Sequence, residues 1–342
     1  RAYDYWNADM YFANPRTIPT AAELAAYDVI VYWSGDNYDP DGTYTVSTPL
    51  TPIDQQILTD WQFNGGRLLA SGQDLASAWD ALDSDGDGYF IYAGNLGTKY
   101  LQDSIFDPSY LGMLPPVPAV AGVSGSPFTG AVLDISGSEP ITDTVEGEVV
   151  LVGWEDGAAN QYYVDEVELA PFGDTGAPET IKPILSAIGG SAVGEGQIAS
   201  SRADGPTLEE PETAFDYRTI YLSFGFEAIN NDTGFTTREE LMQQMLDWLT
   251  DEVSVELAPA QGSVLGVTEL VATATSSVDA EGVQYRWDFG DGSPIAVTDG
   301  PSAIHVYEAV GKYTAQVEVM DELGHTAISE PAEVLIGTWF YL

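Results

Sequence analysis

The chain contains no cysteine, which removes disulfides, thiol catalysis and thiolate metal sites together. Basic residues are nearly as scarce. Lys plus Arg number 10 against 54 Asp plus Glu, a formal charge of −44 over 342 residues. A nucleic-acid binder needs a basic footprint to displace counterions from phosphates, and this composition excludes one. A polybasic membrane patch is excluded on the same ground. Only two histidines occur, His305 and His325. The longest apolar run, Val29-Ile30-Val31-Tyr32-Trp33, falls far short of the ~20 residues of a membrane helix. No secretory leader is visible, and Arg1-Ala2-Tyr3-Asp4 reads as the interior of a larger protein.

What is present is enough to build cores. Hydrophobic residues make up 44% and aromatics 11%, too many for a disordered acidic chain. The length predicts two or three domains. Such a negative charge keeps a protein hydrated where cations are plentiful, because salt screens self-repulsion and divalent ions bridge carboxylates. Two settings fit: export into calcium-bearing medium, or a high-salt organism. Asn231-Asp232-Thr233 is a lone glycosylation sequon, compatible with export.

The first ~250 residues alternate strand and helix signals. Thr20-Ala21-Ala22-Glu23 is a capping box opening a short helix with Leu24. Val29 to Trp33 then reads as a buried parallel strand. Thr51-Pro52 starts a second helix, with Ile53, Ile57, Leu58 and Trp61 on one face. Asn64-Gly65-Gly66 stops it, Arg67 to Ala70 is the next strand, and Ser71-Gly72-Gln73-Asp74 a strand-to-helix junction. This β-α-β unit predicts an open, mostly parallel sheet with helices on both faces. From about 117 to 211, short apolar stretches among Gly, Pro, Ser and Thr predict β-rich insertions. The strand pattern returns at Tyr217 to Glu227, with Ile220, Leu222, Phe224 and Phe226 alternating. A second capping box, Thr237 to Glu240, opens a helix striped by Leu241, Met245, Trp248 and Leu249. An α/β domain is therefore expected over 1–251.

After Glu252 the helix signal vanishes. Strand candidates at 253–257, 270–274, 285–289, 315–319 and 332–336 predict a small β-sandwich over 252–337. Within it, Trp287-Asp288-Phe289-Gly290-Asp291-Gly292 and the run from His305 to Tyr313 resemble the two signature segments of PKD domains. Trp287 is the large side chain expected between the sheets, Gly290-Asp291-Gly292 a turn needing positive φ, and Tyr313 sits where a tyrosine corner would. His305 reads as a structural histidine beside that turn, with metal ligation the rival, and Asp288 and Asp291 as turn formers. The resemblance implies an immunoglobulin-like extracellular spacer or adhesion module, commonly attached to secreted proteases and surface proteins. Leu24 to Val31, Asn64 to Gly72 and Phe224 to Glu227 resemble the class I glutamine-amidotransferase-like, flavodoxin-like fold. The resemblance is strongest to the non-catalytic copies in secreted subtilisin-like proteases. Such domains usually open with a strand and helix before Tyr3-Asp4-Tyr5-Trp6, so their absence again points to a fragment.

An amidotransferase needs a Cys nucleophile at the strand-to-helix elbow and a His to activate it. The elbow carries Ser71, Gly72 and Gln73, both histidines lie in the sandwich, and Leu69-Ala70-Ser71-Gly72-Gln73 is not Gly-x-Ser-x-Gly. Loss of catalysis is expected. A carboxylate-based polysaccharide hydrolase is the enzyme alternative. Trp6, Trp33, Trp61 and Trp79 could wall its groove, although core packing explains most of them. The sharpest chemical motif is Asp83-Ser84-Asp85-Gly86-Asp87-Gly88. Alternate carboxylates ahead of glycine let a tight loop aim three hard oxygens at one Ca²⁺, with the Tyr89 carbonyl added. The twelfth loop position is Gly94 rather than Glu, so Asp80, Asp103 or water would have to complete a structural site. Asp36 to Gly42 is a weaker candidate. The expected role is a calcium-stabilised, non-catalytic extracellular or cell-surface scaffold, whose partners are other domains of its parent, identical subunits, extracellular protein or polysaccharide. The apolar tail, 338–342, suggests strand addition to a neighbouring domain or subunit, as in an extracellular filament or surface layer.

Overall fold

The computed structural model describes residues 18–33, 52–72, 75, 98–103, 119–124, 126–133, 140–145, 148–154, 165–169, 181–188, 199–204, 207–208, 217–231, 234–251, 253–276, 283–321 and 323–338. The chain divides into two compact units, one of Arg1–Ala203 with Tyr217–Thr250, the other of Asp204–Asp216 with Asp251–Leu342.

In the first unit the capping boxes form as read. Thr20 N–H donates to Glu23 Oε2 (2.8 Å) while Glu23 N–H donates back to Thr20 Oγ1 (3.3 Å), starting helix α1 (Ala21–Leu24). The same exchange between Thr237 and Glu240 precedes α3 (Arg238–Thr250), whose Leu241, Met245, Trp248 and Leu249 are buried. Between them, α2 (Pro52–Gln62) sits differently from its apolar pattern. Ile53 is 48% exposed, whereas Asp54, Gln55, Leu58, Thr59, Trp61 and Gln62 are buried. The helix is rotated because its polar groups serve other segments: Asp54 Oδ1 accepts from Ile18 N–H (3.2 Å), and Gln62 Nε2 donates to Thr219 Oγ1 (2.9 Å). A buried polar group must be bonded, and that demand outweighs one isoleucine.

The strands, in chain order, are β1 (Val29–Trp33), β2 (Arg67–Ser71), β3 (Thr98–Asp103), β4 (Ala119–Gly122), β5 (Val132–Leu133), β6 (Pro140–Val145), β7 (Glu148–Trp154), β8 (Asp165–Leu169), β9 (Ile181–Ile188), β10 (Ala199–Asp204) and β11 (Tyr217–Leu222). Seven form one sheet in the order β1-β2-β11-β10-β9-β4-β5; β3 pairs with β8 and β6 with β7 separately. The pairs β1–β2 and β2–β11 are parallel, with Val29 and Arg218 both opposite Arg67. The pairs β10–β9, β9–β4 and β4–β5 are antiparallel. A mostly parallel sheet was expected; instead strands from the 117–211 stretch extend the same sheet. Links such as 123–131 and 189–198 are shorter than the dozen or so residues a parallel crossover needs. β11 is buried at all six positions, as a central strand covered on both faces should be. It stops at Leu222, and Phe226–Ala228 turn as a 3₁₀ helix rather than continuing the strand. β1 was expected to be a buried strand; it is half-buried, at the edge of the sheet among the described residues.

The second unit contains β12 (Val253–Leu257), β13 (Ala260–Ser263), β14 (Val267–Ser276), β15 (Gln284–Asp288), β16 (Ala296–Thr298), β17 (Ser302–Val306), β18 (Gly311–Met320), β19 (Thr326–Ile328) and β20 (Ala332–Gly337). One sheet runs β12-β14-β17. The other runs β13-β20-β18-β15-β16, with β19 also on β18. Their core holds Leu270, Trp287, Tyr307, Val317, Val319 and Val334, all essentially inaccessible. Each of the five expected strand segments is present in this sandwich.

Candidate functional site

Three places concentrate polar chemistry among the described residues. The first is the elbow after β2. Ser71 is buried, its Oγ donating to Phe224 O (2.9 Å) and accepting from Phe226 N–H (2.8 Å). The hydroxyl therefore ties the turn after β11 to the end of β2. Trp33, at the end of β1, is 51% exposed and stacks on Phe226 at 6.4 Å, so core packing does not account for it. Trp61 is buried on α2. The Asp83, Asp85, Asp87 and Tyr89 loop lies outside the described residues, as do Asp80, Gly94, Asp36 to Gly42, Trp6 and Trp79. Asp103 ends β3, and its side chain is likewise outside them.

The second is the turn after β15. Gly290 and Gly292 have φ of 71° and 81°, and a Cβ on Gly290 would fall 2.0 Å from Thr314 O. Asp288 Oδ1 accepts from Gly290 N–H (2.8 Å). Asp291 accepts from Ser293 N–H (3.0 Å) and Oγ (2.6 Å), and its second oxygen lies 2.7 Å from His305 Nε2. Partial burial pushes the Asp291 carboxyl up, but the bonds from Ser293 and His305 outweigh it and hold it at about 2. The His305 ring stacks on Phe289 at 4.0 Å and meets Tyr307 edge-on at 4.7 Å. Tyr307 Oη donates to Phe289 O (3.1 Å), Trp287 Nε1 to Thr298 Oγ1 (2.9 Å), and Tyr313 Oη to Ala309 O (2.8 Å), a tyrosine corner. These acids and this imidazole act as turn formers, their hydrogen bonds directed within the sandwich.

The third was not foreseen. Asp251, Asp321 and His325 are buried together, with one ligand-type atom from each inside a 4.8 Å span. His325 Nδ1 lies 2.9 Å from Asp321 Oδ2 and 3.4 Å from Asp251 Oδ2. Asp321 Oδ1 also accepts from Leu323 and His325 N–H, both at 2.9 Å. Burial pushes the Asp321 carboxyl up; the bond and charge of His325, with these amides, bring it below the usual range. The donor set is one a divalent ion could use, but His325 Nδ1 already lies within reach of both carboxylates. The Asp321-x-x-Gly324-His325 spacing was a readable local signal, because a φ of 90° at Gly324 closes the loop. Asp251, seventy residues earlier, gave none.

The paired sheets, buried tryptophan and tyrosine corner define an immunoglobulin-like β-sandwich. Residues 253–333 match the PKD domain family and form a PKD domain. The chain is 34% identical over 95 residues to human polycystin-1, covering 25% of this chain and 2% of that protein. Two solved structures are similar to it. The PKD1 domain of Vibrio anguillarum Epp is 22% identical, covering 26% of this chain and 95% of that one, with a TM-score of 0.21. The PKD1 domain of the Vibrio cholerae metalloprotease PrtV is 20% identical, covering 25% and 98%, with a TM-score of 0.20.

Proposed function

We propose that the chain is a non-catalytic scaffold or binding region of a larger secreted or cell-surface protein, in which a degenerate amidotransferase-like α/β unit is followed by a PKD module. The observation that carries this reading is the PKD domain at 253–333, together with a matched relative of which the chain spans about 2%. The absence of any cysteine and the confinement of both histidines to the sandwich support it. So does the Ser71 hydroxyl, which is committed to Phe224 and Phe226. Among the described residues no helix is long and apolar enough to cross a membrane. Calcium held by Asp83, Asp85, Asp87 and the Tyr89 carbonyl belongs to the proposal as a structural ion.

The test is a hydrolase screen of the full chain with amide, ester and polysaccharide substrates. No turnover above buffer is expected; turnover abolished by Ser71→Ala, or by neutralising a carboxylate pair, would overturn the non-catalytic reading. Calcium is tested apart from it, by melting the full chain with calcium and after chelation. A lower melting temperature on chelation is expected, and Asp85→Asn should remove the difference. Identical melting curves would dispose of the ion while leaving the scaffold intact.

A further inference from the structure

The outward face of β14 and β17 departs from the polar surface expected of a solvated antiparallel sheet. Along β14, Thr268, Leu270 and Ala272 turn into the sandwich and are buried, so Val267, Glu269 and Val271 face outward. Their cross-strand partners on β17 are Val306, Ile304 and Ser302. Val267 is 69% exposed and Ile304 68%, and Val271 and Val306 are exposed as well. Leu265, next to the Val267–Val306 pair, is 72% exposed, and its N–H donates to Tyr307 O (2.9 Å). It is also the one residue other than glycine with positive φ among the described residues, at 60°. A leucine in the left-handed region is strained, and burial of its side chain does not offset that strain here. An exposed apolar patch of this kind marks an interaction site.

At the centre of these aliphatic groups is one carboxylate. Glu269 lies opposite Ile304 and between Val267 and Val271 along its own strand. Among the described residues it has no ion-pair partner. β12, β14 and β17 contain no lysine or arginine, and their other carboxylate, Glu256, is exposed on β12 opposite Thr273. Any apolar surface laid over the patch takes water from Glu269, which is costly unless the cover brings a cation. A second copy laid face to face would set Glu269 against Glu269 with no cation from either sheet. Two chains of charge −44 would repel each other besides.

We propose that this face docks a different protein, through an apolar surface that carries a lysine or arginine at its centre. The cation pairs with Glu269, and the apolar rim closes over Val267, Val271, Ile304 and Val306. Arginine suits the place better, because its guanidinium binds a carboxylate through two bonds and is the more weakly hydrated cation. The surface deepens the scaffold-or-binding reading, yet the two fail separately. Catalytic turnover would overturn that reading and leave this face, whereas failure of the titration below would remove this face and leave that reading.

The probe is a synthetic β-hairpin with an Asn-Gly turn, presenting Val, Arg and Val on one face and Thr on the other. Its control carries Glu in place of Arg. Each is titrated into the full chain while the methyl resonances of Val267, Val271, Ile304 and Val306 are followed. The arginine hairpin should shift these methyls to saturation and bind at least tenfold more tightly than the control. Glu269→Lys, at an exposed position, should reverse the preference, and Glu269→Gln should erase it. Unshifted methyls would overturn the proposal. So would a preference that survives both substitutions, since that is the general attraction of an acidic chain for cations. Sedimentation of the full chain tests the remaining occupant: a monomer is expected, and a dimer dissociated by Ile304→Glu would overturn the assignment to a different protein.

Discussion

The two units spend their polar side chains differently. In the sandwich, the polar groups of the signature find partners close by in the chain: Asp291 bonds Ser293 two residues on, Tyr313 bonds Ala309 four residues back, and His305 meets Asp291 across fourteen. In the first unit two buried polar side chains join distant segments. Ser71 reaches Phe224 across 153 residues, and Gln62 reaches Thr219 across 157. A short-range network leaves a contiguous motif, whereas a long-range one leaves isolated serines and glutamines that resemble any others. Stability should reflect the contrast. The sandwich should depend on its apolar centre, with the signature bonds adding increments, and the first unit on individual bonded polar residues.

The largest effect is expected from Trp287→Ala. Trp287 is fully buried at the centre of the sandwich core, so removing the indole should cost about 3–5 kcal/mol of that unit's stability. Urea unfolding followed by near-ultraviolet dichroism measures it. A loss below about 1 kcal/mol would break the comparison, because the centre would then be no more important than the signature bonds.

Next comes His325→Ala, the exception inside the sandwich. It leaves the Asp251 and Asp321 carboxylates buried against each other with their imidazole gone, a loss of about 3–5 kcal/mol for a broken buried pair. The acid side gives an independent check. The Asp321 carboxyl lies below its ordinary value in the folded protein. Its contribution is therefore complete above the unfolded value near 3.8 and is lost as pH falls through the folded value. Urea midpoints from pH 7 to pH 3 should show this acid loss in the parent. The loss should be reduced in the variant, where the carboxyl stays buried but has lost the histidine that helps to hold it down.

These differences explain what could be read from the residues. The sandwich was legible through Trp287, Gly290, Gly292 and Tyr313, because each imposes a local geometry that few other residues satisfy. Both capping boxes were legible for the same reason. The rotation of α2 was not: Ile53 belongs to the apolar stripe, and only the distant Ile18 and Thr219 reveal why Asp54 and Gln62 are turned inward. The antiparallel extension of the sheet was hidden too. Short apolar strands between 117 and 211 carry no sign of the edge they will join, and link length becomes informative only once the strands are placed. The buried triad shows both limits together, since Asp321 and His325 form a compact loop while Asp251 reaches them from seventy residues away.

Ser71→Ala sharpens the comparison at a smaller scale. It removes the acceptor for the Phe226 amide and the donor to the Phe224 carbonyl, for a loss of about 1–3 kcal/mol in the first unit. Hydrogen exchange at Phe226 should rise in step with the loss of stability measured by urea. A neutral substitution would mean that the turn after β11 is held by its neighbours, and that long-range bonding is not what sets this unit apart.

The smallest effect should come from Asp291→Asn and be confined to acid. Asp291 sits at about 2 in the folded protein against an ordinary 3.8, held there by Ser293 and His305 against the opposing effect of partial burial. Its ionised form therefore stabilises the fold fully above about pH 4, and that contribution disappears as pH falls toward 2. Asparagine keeps an acceptor for the Ser293 amide but carries no charge for His305. The variant should start slightly less stable at pH 7 and lose less between pH 4 and pH 2, so the two curves converge in acid. Parallel curves across that interval would show that His305 is held by its stacking on Phe289 rather than by the carboxylate. The signature turn would then owe its shape to ring packing and the two positive-φ glycines, and the short-range polar network would be a consequence of the fold and not one of its supports.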